Sequence, residues 1–310
     1  CKDVIVSKVA VNERWLLVYK IVVKEELAPK IKLFEIHVPP VAAKAKPGQF
    51  VILRTHERGE RFPLTIADTD AAKGTIKLVF NEVGRSTKQL GNLEEGDDIL
   101  NLVGPLGNPS EIANYGKVLA VGGGVMIAPL YFVASALRGA GNELITVIGA
   151  RIKDLLIYED EMKAISHEFY ITTDDGSAGY KGLDFLQEIL KQKSINRVVA
   201  MGPVVMMKRV SEITRPYGIK TVVTLTPIMV DGTGMCGCCR VEVGGETKFT
   251  CVDGPEFDGH EVDWDLLVSR QRIYLPEERI SSLLYAMLGE EAGEQKQIGM
   301  AEGRSSCQGS

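Results

Sequence analysis

The sequence predicts a multi-domain protein: an antiparallel β-barrel, then a doubly wound α/β domain, then a small C-terminal module rich in cysteine. Three observations carry this expectation. Short alternating strands recur between turns from Tyr19 to Val103. From Lys117 the apolar residues instead run without interruption and meet the triplet Gly122-Gly123-Gly124. Four of the six cysteines then gather between Val230 and Cys251. Alternation marks strands with one wet face, whereas a strand apolar throughout is covered on both faces, as in a parallel sheet. The expected divisions are an N-terminal extension over 1–18, the barrel over 19–113, the α/β domain over 114–226, the cysteine module over 227–288 and a disordered tail over 289–310.

Composition bounds the function classes. The chain has 310 residues, 41 acidic and 36 basic side chains and a net charge of −5. No basic block points to nucleic acid or to an anionic membrane surface. The apolar share is 45%, yet no apolar run reaches the ~20 residues a bilayer span needs. The best candidate, Val118 to Leu137, is interrupted by glycines and a proline. Residues 1–17 lack a cationic-then-apolar signal pattern and read as an extension or a start-site artefact. The tail is rich in Gly, Glu, Gln and Ser, a composition that cannot bury a core. Cysteine usage fits a reducing compartment, so a cytoplasmic location is expected. Cys1 and Cys307 receive no role.

Within the barrel, Ile31 to Val38 alternates, Pro47-Gly48-Gln49 turns into Phe50-Val51-Ile52-Leu53, Gly74 opens a strand through Phe80, and Gly96-Asp97-Asp98 precedes a strand over Ile99–Leu102. Strands so short and evenly spaced suit a closed antiparallel sheet. Arg61-Phe62-Pro63-Leu64-Thr65 is its candidate binding strand. A guanidinium grips a pyrophosphate through paired hydrogen bonds, and backbone groups with the Thr65 hydroxyl can meet a flat polar ring. An ordinary strand with a surface arginine competes equally on this motif alone. Gly84-Arg85-Ser86-Thr87 then opens a short helix. Free N–H groups and hydroxyls there make an anion cradle or, more simply, a helix cap by Ser86 or Thr87. Gly104-Pro105-Leu106-Gly107 closes the barrel.

In the α/β domain, Val118-Leu119-Ala120-Val121 leads into Gly122-Gly123-Gly124 and a helix carrying Ile127, Leu130, Tyr131, Ala134 and Leu137. Strand, glycine turn and helix are the setting a dinucleotide loop requires. Further strands begin near Leu144, Glu168, Asn196 and Thr221, giving five parallel strands. Ligands bind beyond the carboxyl ends of such strands. Gly122, Gly123, Gly124, Arg151, Asp174, Asp175 and Gly202 fall there. Arg151 and Lys153 suit a 2′-phosphate or a solvated surface equally, which leaves NAD and NADP both open. The Met206-Met207 pair on the next helix is expected in the core.

The cysteine module spaces Asp231, Cys236, Cys239 and Cys251 as Asp-x4-Cys-x2-Cys-x11-Cys. That is the plant-type [2Fe–2S] pattern with a carboxylate in the first position. Iron needs soft thiolates around a compact inorganic core, and Gly232, Gly234 and Gly237 let a short loop turn tightly enough to deliver them. On spacing alone structural zinc, held by three thiolates and one further ligand, remains a competing occupant, while disulfides fit the uneven distribution poorly. Cys238 could compete for the site only by displacing Cys239. His260 lies nine residues beyond a completed set. A short capping helix is expected over Leu283–Leu288.

Arg-x-Pro-Leu-Thr, the Gly-x-Ser-Thr turn and Gly-Pro-Leu-Gly resemble the FAD-binding barrel of the ferredoxin–NADP reductase superfamily. That family's nucleotide loop reads Gly-Gly-Gly-x-Gly-x-Ala-Pro, and Met126 stands here where it has its fourth glycine. The full order of modules resembles the electron-transfer subunit of dihydroorotate dehydrogenase. It looks closer still to the small (alpha) subunit of NADH-dependent ferredoxin:NADP oxidoreductase, also called sulfide dehydrogenase, because of Asp231, Thr173-Asp174-Asp175-Gly176-Ser177 and the run from Cys251 to Gly259. The resemblance implies FAD, a [2Fe–2S] cluster and an NAD(H) site in this chain. It implies as partner a large subunit with a second FAD and two [4Fe–4S] clusters, ferredoxin reached through that subunit, and flavin-based electron bifurcation. The rival expectations are an electron-transfer subunit of a dihydroorotate dehydrogenase or an NAD-linked hydrogenase, and a non-catalytic zinc protein on a degenerate reductase fold.

Overall fold

The computed structural model describes residues 19–287. The expected extension over 1–18, the expected tail over 289–310, and Cys1 and Cys307 lie outside the described residues. Strands β1 (Tyr19–Ala28), β2 (Ile31–His37), β3 (Phe50–Arg54), β4 (Phe62–Asp70), β5 (Thr75–Asn81), β6 (Asp98–Ile99) and β7 (Asn101–Leu106) form one antiparallel sheet in the order β6-β1-β2-β5-β4-β3-β7. Two short helices, α1 (Pro39–Ala42) and α2 (Arg85–Gly91), interrupt the strands. The strand expected over Ile99–Leu102 is broken at Leu100, and this break is what nearly closes the barrel. Its first part pairs with β1 at one edge of the sheet and its second with β3 at the other, so a single residue joins the two edges. Phe34, Ile36, Val51, Leu53, Ile66, Ile76, Leu78 and Phe80 fill the interior.

The second sheet holds β8 (Lys117–Gly123), β9 (Glu143–Ala150), β10 (Glu168–Thr173), β11 (Tyr180–Lys181), β12 (Arg197–Met201) and β13 (Thr221–Thr224). Its order, β11-β10-β9-β8-β12-β13-β16, is parallel throughout except for its last strand, β16 (Glu256–Asp258). Helices α3 (Ile127–Gly139), α4 (Glu159–Ile165), α5 (Leu186–Gln192) and α6 (Val204–Thr214) connect the strands. Side chains alternate across β8: Val118 and Ala120 enter one core with α3, while Leu119 and Val121 enter the other with α5 and α6. Both faces are thus covered, which is why the strand reads as continuously apolar. The chain starts at the centre with β8, adds β9 and β10 on one side, then crosses back to β12 on the other. That reversal opens the crevice where such sheets bind ligands.

The C-terminal part adds the hairpin β14 (Arg240–Val243) and β15 (Glu246–Phe249), then α7 (Thr250–Asp253), β16 (Glu256–Asp258) and α8 (Trp264–Gln271). It is not a free-standing module. Strand β16 pairs antiparallel with β13 and extends the parallel sheet, and Val241, Val243, Trp264 and Leu267 join its core. A further helix runs over 275–287, longer than the expected Leu283–Leu288 segment. It caps no core: Ile280 is 58%, Leu283 64% and Met287 79% exposed. Leu288 lies outside the described residues.

Candidate cofactor sites

A cavity of about 710 Å³ opens between the barrel and the carboxyl ends of β8, β9, β10 and β13. From the barrel it is lined by Pro63, Leu64, Thr65 and Thr87; from the sheet by Gly122, Gly123, Gly124, Arg151 and Asp174. The fold therefore brings the two candidate motifs, more than fifty residues apart in sequence, to one space. Pro63, Leu64 and Thr65 line it from β4, which pairs with β3, Phe50 opposite Thr65 and Ile52 opposite Pro63.

Local geometry explains the glycines. A Cβ on Gly122 would stand 2.8 Å from Leu130 Cδ2, and one on Gly123 2.5 Å from Met206 Sδ. Gly124 meets no such obstacle, but its φ of +56 is a left-handed turn that favours glycine. Met126 has φ −74, an ordinary helical value, so the backbone there does not require a glycine, and its side chain lines the cavity. Met206 packs against the core, as expected, but its role does not end there. Met207 is fully buried, but Met206 lines the cavity against Gly123 and Gly202.

Other candidates lie beside the cavity without lining it. Arg61, exposed at the rim, forms no salt bridge among the described residues, and neither does Arg151 on the cavity wall, so both guanidiniums are available to an anion. Gly84 caps α2; its N–H donates to Thr87 Oγ1 at 3.1 Å, so Thr87, not Ser86, closes the turn. The Ser86 hydroxyl donates to Glu60 at 2.6 Å. Asp175 accepts from the Ser177 hydroxyl and N–H, which hold its carboxyl below the usual range. Gly202 has no space for a Cβ beside Met206 and Gly123. Sequence reasoning missed Phe50, Thr224, Met229 and Arg209, all of which line the cavity. The buried Thr224 hydroxyl has no hydrogen-bond partner, an unmet polar group on the cavity wall that a polar ligand would satisfy. Only its position at the end of β13 could have signalled it.

In the cysteine loop, Gly232, Gly234 and Gly237 have φ of +73, +87 and +67. Asp231 accepts from the Thr233 N–H at 2.9 Å and the Cys236 N–H at 2.8 Å. The Thr233 amide, before all else, holds this carboxyl below the usual range. Cys239 and Cys251 are buried with their sulfurs 3.3 Å apart. Burial, then the contact with Cys239, pushes the Cys251 thiol up to about 12. Cys236 is exposed. Two thiolates bonded at ~2.3 Å to one tetrahedral metal stand ~3.8 Å apart, half an ångström from what is seen. Cys239 and Cys251 form one donor pair; beside it the Asp231 carboxylate meets the Cys236 amide, and the Cys236 thiol hydrogen-bonds with that of Cys238. Among the described residues no three His, Cys, Asp or Glu side chains converge on one point. A two-iron core takes two ligands on each iron, so the Cys239–Cys251 pair suits one iron of such a core, whereas a zinc ion needs four donors around one point. Cys238 is half-buried, its carbonyl accepting from Arg270. His260 is tied to Thr214 at 2.9 Å.

The cysteine loop sits directly on the barrel. Phe50, Ile52, Met229, Cys239 and Cys251 form one buried cluster. A Cβ on Gly232 would stand 2.8 Å from both Ile52 and Leu106. Beyond the fourth cysteine, Asn108 N–H donates to Gly254 O at 2.7 Å and its side chain to Val252 O at 3.1 Å.

An antiparallel barrel joined to a parallel sheet, with a binding crevice between them, defines a ferredoxin-reductase-like fold. Phthalate dioxygenase reductase shares it at 18% identity and TM-score 0.53, over 74% of this chain and 87% of that one. Residues 226–263 match the profile of the iron–sulfur cluster binding domain of dihydroorotate dehydrogenase B. The chain is 53% identical to a Thermotoga maritima homologue of the dihydroorotate dehydrogenase B (NAD(+)) electron transfer subunit, over 84% of this chain and 93% of the relative. It is 32% identical to that subunit of Desulforamulus reducens, over 77% and 95%. Among solved structures, a chain of an NADH-dependent reduced ferredoxin–NADP oxidoreductase superposes with TM-score 0.82 at 51% identity, over 87% of this chain and 98% of that one. The chain belongs to the family of dihydroorotate dehydrogenase B electron transfer subunits and their homologues.

Proposed function

We propose that this chain is the electron-transfer subunit of an electron-bifurcating NADH-dependent ferredoxin:NADP oxidoreductase, carrying electrons between NAD(H) and a partner subunit by way of FAD and a [2Fe–2S] cluster. The observation that supports it best is the cavity shared by Pro63–Thr65 and Gly122–Gly124, with the cysteine loop packed against the same barrel strands. The 51% identity to a chain of such an oxidoreductase supports the choice of complex.

In this reading Pro63, Leu64 and Thr65 line the flavin's part of the cavity, while Arg61, Gly84, Ser86 and Thr87 serve its phosphates from the rim. Gly122, Gly123 and Gly124 give a nicotinamide dinucleotide close access to backbone amides at the start of α3, and Gly202 keeps the neighbouring wall clear. Arg151, Asp174 and Asp175 border the sugar-phosphate end. Asp231 and Cys236 hold one iron, Cys239 and Cys251 the other. Nicotinamide exchanges two electrons as a hydride and an iron–sulfur cluster exchanges one, and flavin is the cofactor that does both. The chain's own work is to bind, align and keep water from these groups, so no acid–base catalyst is required of it.

The chain is a subunit of a heteromeric complex. Its proposed partner is a large iron–sulfur flavoprotein with a second FAD and [4Fe–4S] clusters, through which ferredoxin is reached. Among the described residues no helix is long and apolar enough to cross a membrane. The second reading, an electron-transfer subunit of a dihydroorotate dehydrogenase, is favoured by the match over residues 226–263 and differs in the partner. Anaerobic co-purification followed by NADH and NADPH oxidation assays decides between them. The first reading expects NADPH-dependent reduction of NAD and ferredoxin together; dihydroorotate-dependent reduction of NAD instead would overturn it.

A further inference from the structure

Two side chains belong both to the wall of the cavity and to the buried cluster around Cys239 and Cys251: Phe50 and Met229. Phe50 opens β3 and is 3% exposed. On one side its backbone pairs with Thr65, in the strand that lines the cavity; on the other with Leu106, which packs on the cysteine loop. Its ring is confined. A Cβ on Gly107 would stand 2.8 Å from Phe50 Cε1 and 2.9 Å from Pro255 Cδ, so the absence of a side chain at Gly107 leaves the ring its place. Pro255 lies four residues beyond Cys251 and also lines the cavity. Met229, 7% exposed, completes the partition two residues before Asp231.

We propose that Phe50, backed by Met229, is the positioning residue that sets the separation between flavin and cluster, and that single electrons cross the protein at this partition. The proposal rests on the cofactor reading above. The chemistry it divides is balanced: NADH is oxidised to NAD⁺ as its hydride reduces the flavin, and the reduced flavin then gives up one electron as the cluster gains one. The ring holds both walls at fixed distance. A smaller side chain leaves a gap that neighbours only partly close, so the two centres lose packed contact and alignment.

The test uses the complete chain, loaded with FAD and cluster, as wild type, Phe50→Leu and Met229→Leu, both substitutions keeping an apolar core. Stopped-flow mixing with NADH follows flavin bleaching and cluster reduction separately. FAD affinity, iron content and the cluster's reduction potential are measured beside them. The expected result is a ratio of cluster reduction to flavin reduction that falls on the order of tenfold in Phe50→Leu, a partial loss of alignment where a full ångström costs up to ~100-fold, with FAD affinity, iron content and potential retained. Met229→Leu, which keeps the fold if Phe50→Leu does not, should move the ratio the same way by less. An unchanged ratio, or a fall that simply follows lost FAD or iron, overturns the proposal. A wild-type chain that binds neither FAD nor iron overturns the cofactor reading instead.

Discussion

Asp231 is the residue on which the cysteine loop turns. Its carboxylate stands first in the ligand spacing and caps the amides of Thr233 and Cys236. Asp231→Cys restores four thiolates. Iron content should stay at the wild-type level while the cluster's reduction potential and paramagnetic spectrum shift; both unchanged would remove Asp231 from the ligand set. Gly232 is constrained twice, by φ +73 and by Ile52 and Leu106 at 2.8 Å. Gly232→Ala should cost about 1–3 kcal/mol, seen as a lower Tm together with reduced iron incorporation. Asp231 stood out in the sequence because its spacing to the cysteines fits a proposed ligand set, and Gly232 because left-handed turns favour glycine. Phe50 did not. In sequence it is one more apolar strand residue, and only the fold puts two sites on either side of it. Ser86 and Thr87 were both plausible caps, but the cap position is Gly84, and Thr87, third in the helix, accepts from the Gly84 N–H.

Among the elements, β8 and α3 were read directly from the period of their apolar residues, and β4 from the motif that begins it. Strand β16 was hidden. Its three residues carry too little pattern to register, and its partner β13 lies more than thirty residues away. It has an electrostatic signature. Glu256 accepts from the Ser110 hydroxyl, and burial pushes its carboxyl pKa up in spite of that bond. The folded chain thus holds this proton to a higher pH than the unfolded chain. Stability from this group is full below the unfolded value and is lost as pH rises through the folded one. Glu256→Gln, neutral throughout, should raise Tm at pH 8 by about 2–4 °C for each ~1 kcal/mol of that loss, and match wild type near pH 4. Thermal melts across that range check it; parallel curves would contradict it. A short capping helix was expected over Leu283–Leu288, and the helix found there runs over 275–287. The sequence could not show that those apolar positions face outward.

At the scale of the molecule, the three modules read from sequence share cores. Ile31, Leu33, Ala67 and Val79 from the barrel's outer face pack with Ile127, Leu130 and Val133 of α3. Residues of the C-terminal part enter the core on the sheet's other face. Composition and period could place the modules in order but not in contact, since a strand's outward residues do not name what covers them. One consequence is thermodynamic. Leu33→Ala, at a site 6% exposed, should cost about 2–5 kcal/mol and shift a single calorimetric transition. Loss of the barrel alone, with the sheet melting unchanged, would contradict a shared core.

The central claim is that this polypeptide joins a two-electron carrier to a one-electron carrier. Anaerobic titration of the purified chain with NADH, followed by absorbance and by metal analysis, tests it most directly. The account predicts a yellow-brown protein with two irons per chain, in which NADH bleaches the flavin and the cluster together. A colourless protein containing zinc and no iron, unchanged by NADH, would contradict it.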